Sequence, residues 1–517
     1  MASKLASKLS ISALEFSDLM KKISLREREP LGIAVSGGVD SLALCYLLNR
    51  YCEENKHKLT AFIIDHQFRP DSTEEASQVA ELLTKLNVDS KIMQIQWNTK
   101  TESKFSPSHI HNYPRTNQLE LFARNERYKL LATGCHEKNI SLLFLGHHLN
   151  DQLETLVMRL ARGSGIVGLA SMETNNKFPV QRNIEALNIN VVRPMLRVPK
   201  ERMIETCKAA NIQWFEDPTN ESDQHKRNVV RMVLNTINQR YLDGHKEYEP
   251  ISTQGLLRFM DHMEYHKKFV NLQVNEILSE CVKFNYQIGF CKLWLPKKLS
   301  ENHWFRQKHL GIRIISTLIR WVTCSEAAPL LEGCIRFYNH ITLSYEQSVN
   351  ENFSAQGVLL CTGKEQEHKN SNMNSWVFYR QPMNKAEEKL TINIIKDKEI
   401  ILWDKRFFIT LELNKNENYY KNNDNANYLI RRFKKDDFPI VSRQLLKIKA
   451  KSNKWKIFQD YRSHVHVVAR HDIPVLIRRD KNAEPPLQDK LIAMPSLNIS
   501  FSPEYANCWA EFRGQIH

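Results

Sequence analysis

Apolar residues in the first part of the chain fall into short unbroken runs that alternate with stretches of helical spacing. Leu31-Gly32-Ile33-Ala34-Val35 is a continuous run of strand length, and Leu42–Leu48 has the composition of a helix packed on a sheet. Leu59–Asp65 predicts a second buried strand, Thr73–Asn87 a helix and Lys91–Ile95 a short strand. Leu119–Glu137 reads as a long amphipathic helix and Ser141–Gly146 as another buried strand. This alternation predicts an α/β domain with a parallel sheet and helices on both faces. Ligands of such sheets sit at the carboxyl ends of the strands, which gathers Ser36–Ser41, Asp65-His66 and His147–Asp151 at one edge.

Beyond about residue 235 the pattern changes. Residues 255–325 carry helix formers with Leu, Phe and Trp at helical spacing, and from about 390 the texture turns to β. The expected division is an N-terminal helix or presequence over 1–28, the α/β domain over 29–235, a helical linker over 236–340 and a C-terminal α+β region over 341–517. Three polar stretches, Asn98–Asn117, Lys364–Ser375 and Asn414–Asn427, read as surface loops or inserts without a core role.

Composition narrows the class. With 517 residues there is room for about three domains. No apolar run approaches the roughly 20 residues needed to span a bilayer, so no membrane partner is expected. Lys+Arg 73 against Asp+Glu 58 leaves a net charge of +15, which suits a polyanionic partner or simply a basic, well-solvated surface. The ten cysteines include no CxxC pair, which argues against a zinc ribbon, an iron–sulfur cluster and a redox dithiol. The first residues mix Lys, Ser and Leu, with no acid before Glu15, as a presequence or as a helix leading into the first strand.

Candidate chemistry begins at Ser36-Gly37-Gly38-Val39-Asp40-Ser41, between the first strand and its helix. Adjacent glycines let backbone amides approach an anion, the two serines add hydroxyls, and the helix offers its positive end. Neither GxxxxGK[ST] nor GxGxxG is present, so this is a phosphate cradle of another kind. His147-His148-Leu149-Asn150-Asp151 leaves a later strand and opens a helix. Asp151 there is either a helix cap or, facing Asp40, a second carboxylate for Mg²⁺ on bound phosphates. Asp65 can accept from nucleotide hydroxyl or amino groups, and Arg69 can face phosphate. Arg162 and Gly163, in Arg159-Leu160-Ala161-Arg162-Gly163-Ser164-Gly165, form a second anion contact or an ordinary helix end.

These segments together resemble a known family. The hexapeptide resembles the pyrophosphate loop of ATP pyrophosphatases, the PP-loop family. With Asp65–Ser72, Ala123-Arg124-Asn125-Glu126-Arg127-Tyr128, His148–Thr155, Ala161–Leu169, Arg193–Leu196 and Lys200-Glu201, it is similar to the tRNA(Ile)-lysidine synthases. The similarity runs on through Trp214–Asn220, which contains Asp217-Pro218-Thr219-Asn220, and closes with Arg227-Asn228-Val229-Val230-Arg231. It is strong over roughly 28–240, with a fainter echo at Trp403-Asp404-Lys405-Arg406-Phe407.

The resemblance implies a PP-loop ATP pyrophosphatase domain, ATP and Mg²⁺ as cofactors, and L-lysine and an isoleucine tRNA with a CAU anticodon as substrates. It implies adenylation of the wobble cytidine C2 oxygen with release of pyrophosphate, then displacement of AMP by the lysine ε-amine. ATP would be held by Ser36, Gly37, Gly38, Val39, Asp40, Ser41, Asp65, Arg162 and Gly163, with Asp40 and Asp151 as catalytic and Mg²⁺-binding carboxylates. Arg124, Arg127, Arg227 and Arg231 would meet tRNA or phosphate, or else make surface ion pairs. Either Asp40 or Asp151 could take the amine's proton. The rivals are a tRNA thiolase, an amidotransferase-type synthetase and an inactive tRNA-binding protein. A mitochondrial location is expected, with the cytoplasm as alternative, and a homodimer is one option for assembly.

Overall fold

The computed structural model describes residues 9–67, 71–97, 116–179, 186, 188–215, 226–301, 303–325, 327–347, 351–363, 372–383, 392–394, 400–413, 426–447, 453–480, 490–502 and 506–514. Arg69, the Asp217–Asn220 motif, residues 1–8 and most of the three polar stretches lie outside them. The chain divides into two compact units, Met1–Phe269 and Val270–His517.

The first unit is built on a six-stranded sheet of β1 (Leu31–Ala34), β2 (Leu59–Asp65), β3 (Asp89–Gln94), β4 (Leu142–Phe144), β5 (Asn175–Lys177) and β6 (Asn190–Val192). The order is β3-β2-β1-β4-β6-β5, with β5 alone antiparallel to its neighbour. Successive side chains alternate across the pleat, so one apolar run serves both faces. Ile33, Ala61, Ile63 and Phe144 pack under α1 (Ala13–Met20), α2 (Val39–Asn55), α3 (Ser72–Lys85) and, later in the chain, Lys200–Ala209. Phe62, Leu143 and Val191 face α4 (Thr116–Glu137), where Tyr128, Leu131 and Cys135 are buried. Both faces are covered, as the alternation of strand and helix predicts.

The helix expected near the N-terminus is α1. Ser12 caps it by accepting from the Glu15 amide at 3.2 Å, and Phe16 and Met20 are buried in the sheet's core. Beyond β4 come α5 (Leu149–Ala161), α6 (Ile166–Leu169), α7 (Lys200–Ala209), α8 (Lys226–Leu242) and the long α9 (Thr253–Cys281). Leu149, Leu153 and Leu156 of α5 pack on Leu256 and Met260, which fixes the helix that leaves β4.

The second unit is richer in strands. After the long helix, the stretch expected to be helical contains a hairpin, β7 (Val282–Asn285) and β8 (Phe290–Pro296). Gly289 adopts φ +77° there, and Asn285 Oδ1 accepts from the Ile288 amide at 2.9 Å, so the turn is encoded locally. The hairpin joins a five-stranded antiparallel sheet covered by the helices Lys308–Thr323 and Leu331–Gln347. A second five-stranded and a three-stranded sheet follow, as the β texture beyond 390 predicts. The Trp403–Phe407 segment forms a hairpin turn with Arg406 only 1% exposed, donating to the Ile288 and Gly289 carbonyls at 3.1 and 2.7 Å. Among the described residues no helix is long and apolar enough to cross a membrane.

Candidate active site

In the strand order, β1 and β4 are neighbours whose connections run off in opposite directions, and the crevice at their carboxyl ends is where such sheets bind ligands. The loop Ser36–Ser41 fills the β1 side of it. Gly37 adopts φ +84°, and a Cβ there would lie 2.6 Å from Val79 and 3.2 Å from the Phe215 ring. The Phe215 amide donates to the Gly37 carbonyl at 3.0 Å. Ser41 Oγ accepts from the Ser36 amide at 3.2 Å and donates to the Gly38 carbonyl at 2.9 Å, so this hydroxyl shapes the loop. Gly38 caps α2 with extended backbone, and a Cβ there would meet only Ser36 Oγ, at 3.7 Å. The space before the first turn of α2, which begins at Val39, is therefore open to an anion.

Asp40 sits in that first turn. Its Oδ2 lies 3.5 Å from His148 Nε2 and 3.9 Å from Lys200 Nζ, at the start of α7. Its Oδ1 is buried and has no hydrogen-bond partner among the described residues. From the β4 side, His148 caps α5. Its Nδ1 accepts from the Asn150 amide at 3.2 Å, which leaves Nε2 carrying the proton toward Asp40 and Asp151, each at 3.5 Å. The helix therefore opens with a reciprocal cap, because the Asp151 carboxylate accepts from the His148 amide at 3.0 Å. Burial pushes the His148 pKa down, but the hydrogen bond to Asp40 and the two nearby carboxylates outweigh it, and the net shift is upward. For Asp151, burial pushes up while His148, His147 and Arg227 pull harder, and its pKa falls below the usual carboxylate range.

Asp151 is thus both a cap and a member of the carboxylate pair. Its Oδ1 accepts from Arg227 Nη2 at 2.8 Å. One turn on, Glu154 is 1% exposed and accepts from Arg227 Nε at 2.5 Å and from Arg231 Nε at 2.7 Å. The two arginines of α8 are clamped onto the acidic face of α5, although both remain partly exposed. A separate cationic group forms beside His147. Arg193 Nε donates to His147 Nδ1 at 3.3 Å, while Arg124 and Arg127 lie over the Tyr128 ring at 5.6 and 5.4 Å. Burial, together with Arg193, Arg227 and Arg127, holds the His147 pKa down at about 4 against the pull of Asp151.

Asp65 ends β2 with 1% exposure, and its carboxylate accepts from the Gln67 amide, Ser72 Oγ, Thr73 Oγ1 and Gln94 Nε2 at 2.9, 2.8, 2.8 and 3.3 Å. Both oxygens are engaged by the chain's own donors. Arg162 and Gly163 lie just past the C-terminal end of α5, roughly 16 Å along the helix from Asp151. The structure therefore brings together the Ser36–Ser41 loop, Asp40, Asp151, Arg227 and Arg231, while Arg162 and Gly163 stay apart from them. Gly146, Lys200, Glu154 and Arg193 join the site without having been singled out for a role. Their one signal in the sequence is that the last three fall inside the family-like segments.

The donor set suits a hard cation only in part. Asp40 offers one free oxygen and stands beside a cradle for phosphate, whereas both Asp151 oxygens are committed. Among the described residues no group of three or more His, Cys, Asp or Glu could hold a metal ion unaided. The cysteines of this unit, Cys45, Cys52, Cys135 and Cys207, are buried with thiols pushed up to about 12, so none offers a thiolate.

Residues 9–237 match the family model described as a PP-loop domain. The chain is 27% identical over 417 residues to a tRNA(Ile)-lysidine synthase of Rickettsia felis, covering 80% of this chain and 81% of that protein. It is 29% identical over 509 residues to a Schizosaccharomyces pombe protein named "Probable tRNA(Ile)-lysidine synthase", covering 95% and 97% of the two chains. Among solved structures, a U34-tRNA thiolase of Methanococcus maripaludis aligns at 18% identity with a TM-score of 0.36, over 48% of this chain and 78% of that one.

Proposed function

As a member of the tRNA(Ile)-lysidine synthases, within the PP-loop family, this chain is an ATP-using enzyme that modifies tRNA, and we propose that it ligates L-lysine to C2 of a wobble cytidine. The substrate is an isoleucine tRNA with a CAU anticodon. In the first step the C2 oxygen attacks the α-phosphorus of ATP, and the bond to the bridging oxygen breaks to release pyrophosphate. In the second the lysine ε-amine attacks C2, the C2–oxygen bond breaks with departure of AMP, and the amine gives up a proton.

The observation that carries this reading is the junction of His148 with Asp40 and Asp151, which puts a phosphate-binding helix end and a carboxylate pair in one crevice. Backbone amides before Val39 and the Ser36 hydroxyl bind the departing pyrophosphate. Asp40 Oδ1 would hold Mg²⁺, which would supply charge neutralisation on the leaving group. Asp151, with both oxygens in use, holds His148 and Arg227 in place. Once pyrophosphate has gone, Asp40 Oδ1 is the free acceptor for the amine's proton. Arg227 and Arg231 keep exposed edges for tRNA phosphate while Glu154 fixes their stems.

A mitochondrial location remains our proposal, on the acid-free, Lys- and Ser-containing start of the chain. The decisive experiment is incorporation of labelled lysine into tRNA(Ile) bearing CAU. Incorporation that Asp40→Ala abolishes supports the reading, and its absence with folded protein and the right tRNA would sink it.

A further inference from the structure

The arginine group beside His147 has no work in the two steps above. Arg193 follows β6, is 7% exposed, and keeps a buried Nη1 without a hydrogen-bond partner among the described residues. Its surroundings are Tyr128, His147 and the charge of Arg124. Among the described residues no carboxylate pairs with Arg193, Arg124 or Arg127. His147 does not supply an anion either, because it is a neutral acceptor at ordinary pH. A buried, underused guanidinium beside further guanidiniums calls for an anionic ligand.

Exposure grades across the group, with Arg124 exposed, Arg127 half-buried and Arg193 buried. A polymer phosphate would stop at the outer members, whereas a small planar carboxylate could reach the innermost fork. The position matters as much as the charge. Arg193 holds His147, and the next residue, His148, faces Asp40 and Asp151. A carboxylate at Arg193 leaves the far end of a flexible amino acid to reach toward Asp40.

We infer that Arg193, approached past Arg124 and Arg127, binds the α-carboxylate of the amino-acid substrate and so selects an amino acid over a simple diamine. This inference rests on the lysine-ligating reading above and assigns the subsite that reading lacks. The tyrosine and neutral histidine hold the guanidinium plane, so Arg193 acts as a specificity residue for the second step alone.

The test compares L-lysine with cadaverine, which is lysine without its carboxylate, as acceptors of adenylated tRNA. Wild-type enzyme is expected to prefer lysine by on the order of a hundredfold in kcat/KM. In Arg193→Gln the KM for lysine should rise about tenfold or more and that preference should collapse, since cadaverine loses nothing. Urea unfolding certifies the fold of each variant, and tRNA-dependent ATP–pyrophosphate exchange, which needs no lysine, reads the first step separately, so the lysine-to-cadaverine ratio reports the second step. Arg127→Gln, altering a half-buried side chain, is the second variant and should shift the same ratio in the same direction. A full preference for lysine in both folded variants overturns the inference. So does a rise in the KM for tRNA with the KM for lysine unchanged. Loss of exchange or of lysine transfer in the wild type would instead remove the parent reading.

Discussion

Gly146 packs against the backbone of Asp40: a Cβ at Gly146 would lie 2.8 Å from the Asp40 carbonyl oxygen and 2.9 Å from its carbon. The end of β4 thus touches the first turn of the helix that follows β1, with no side chain between them. Backbone atoms cannot rotate aside as a flexible side chain can. Gly146→Ala is therefore expected to displace the start of α2 and cost about 1–3 kcal/mol. ATP–pyrophosphate exchange should fall at least about tenfold, as expected when phosphate-binding groups are misplaced. Urea unfolding and exchange rates check this, and a variant equal to wild type in both contradicts it.

Glu154 is the buried counterion of two arginines, and it has no other evident duty. Glu154→Ala should cost about 2–3 kcal/mol, because Arg231 loses its carboxylate and Arg227 keeps only Asp151. Arg231→Ala removes one partner from a carboxylate that retains Arg227, so its cost should be smaller. Chemical denaturation of the two variants decides the order.

The carboxylate of Asp65 is held below its ordinary range: burial acts upward, but Thr73, Gln67, Ser72 and Gln94 together outweigh it. A lowered folded-state pKa means stabilisation that is present above the unfolded value and is lost as pH falls through the folded one. Asp65→Ala should then cost about 2–3 kcal/mol at neutral pH, and less in acid. Thermal melts from neutral to acid pH provide the measurement, and a cost that grows toward acid would refute the assignment.

Asp472, in the C-terminal unit, behaves in the opposite sense. It is 3% exposed, both its oxygens lack partners among the described residues, and burial with Asp404 raises its pKa to about 7 against Arg406, Arg380 and Arg432. The folded form therefore holds a proton that the unfolded chain releases near the ordinary carboxylate value of 3.8. Stability should fall as pH rises between these two values and level off above, by on the order of 4 kcal/mol at most. Asp472→Asn should flatten that slope and be the more stable protein at pH 8. A slope identical to wild type would rule this out.

The parts of the site legible in the sequence are those made by neighbours in the chain. Ser36–Ser41 and His147–Asp151 each span a strand end and a helix start, so periodicity and turn chemistry locate them and the sheet's handedness brings them together. The carboxylate pair follows from that alone. What could not be read are the long-range pairings: Glu154 with Arg227 and Arg231, or Arg193 with His147, depend on which faces α8 and β6 present. The hairpin after α9 was hidden for another reason. The short apolar run Leu293-Trp294-Leu295 does not by itself separate a strand from a buried helix segment, and only the turn at Asn285–Gly289 and the neighbouring sheet decide between them.

The tie between Phe215 and Gly37 also has a consequence in time. Ribosomes deliver the Ser36–Ser41 loop early, yet its left-handed glycine is held by a residue near the end of the domain. Residues 11 and 15 likewise wait for Thr206 and Arg202, at separations of 195 and 187 positions. Such closures are slow and come last. The nascent chain is therefore a poor nucleotide binder until residue 215 has emerged, and premature termination before that point yields a product that cannot engage ATP.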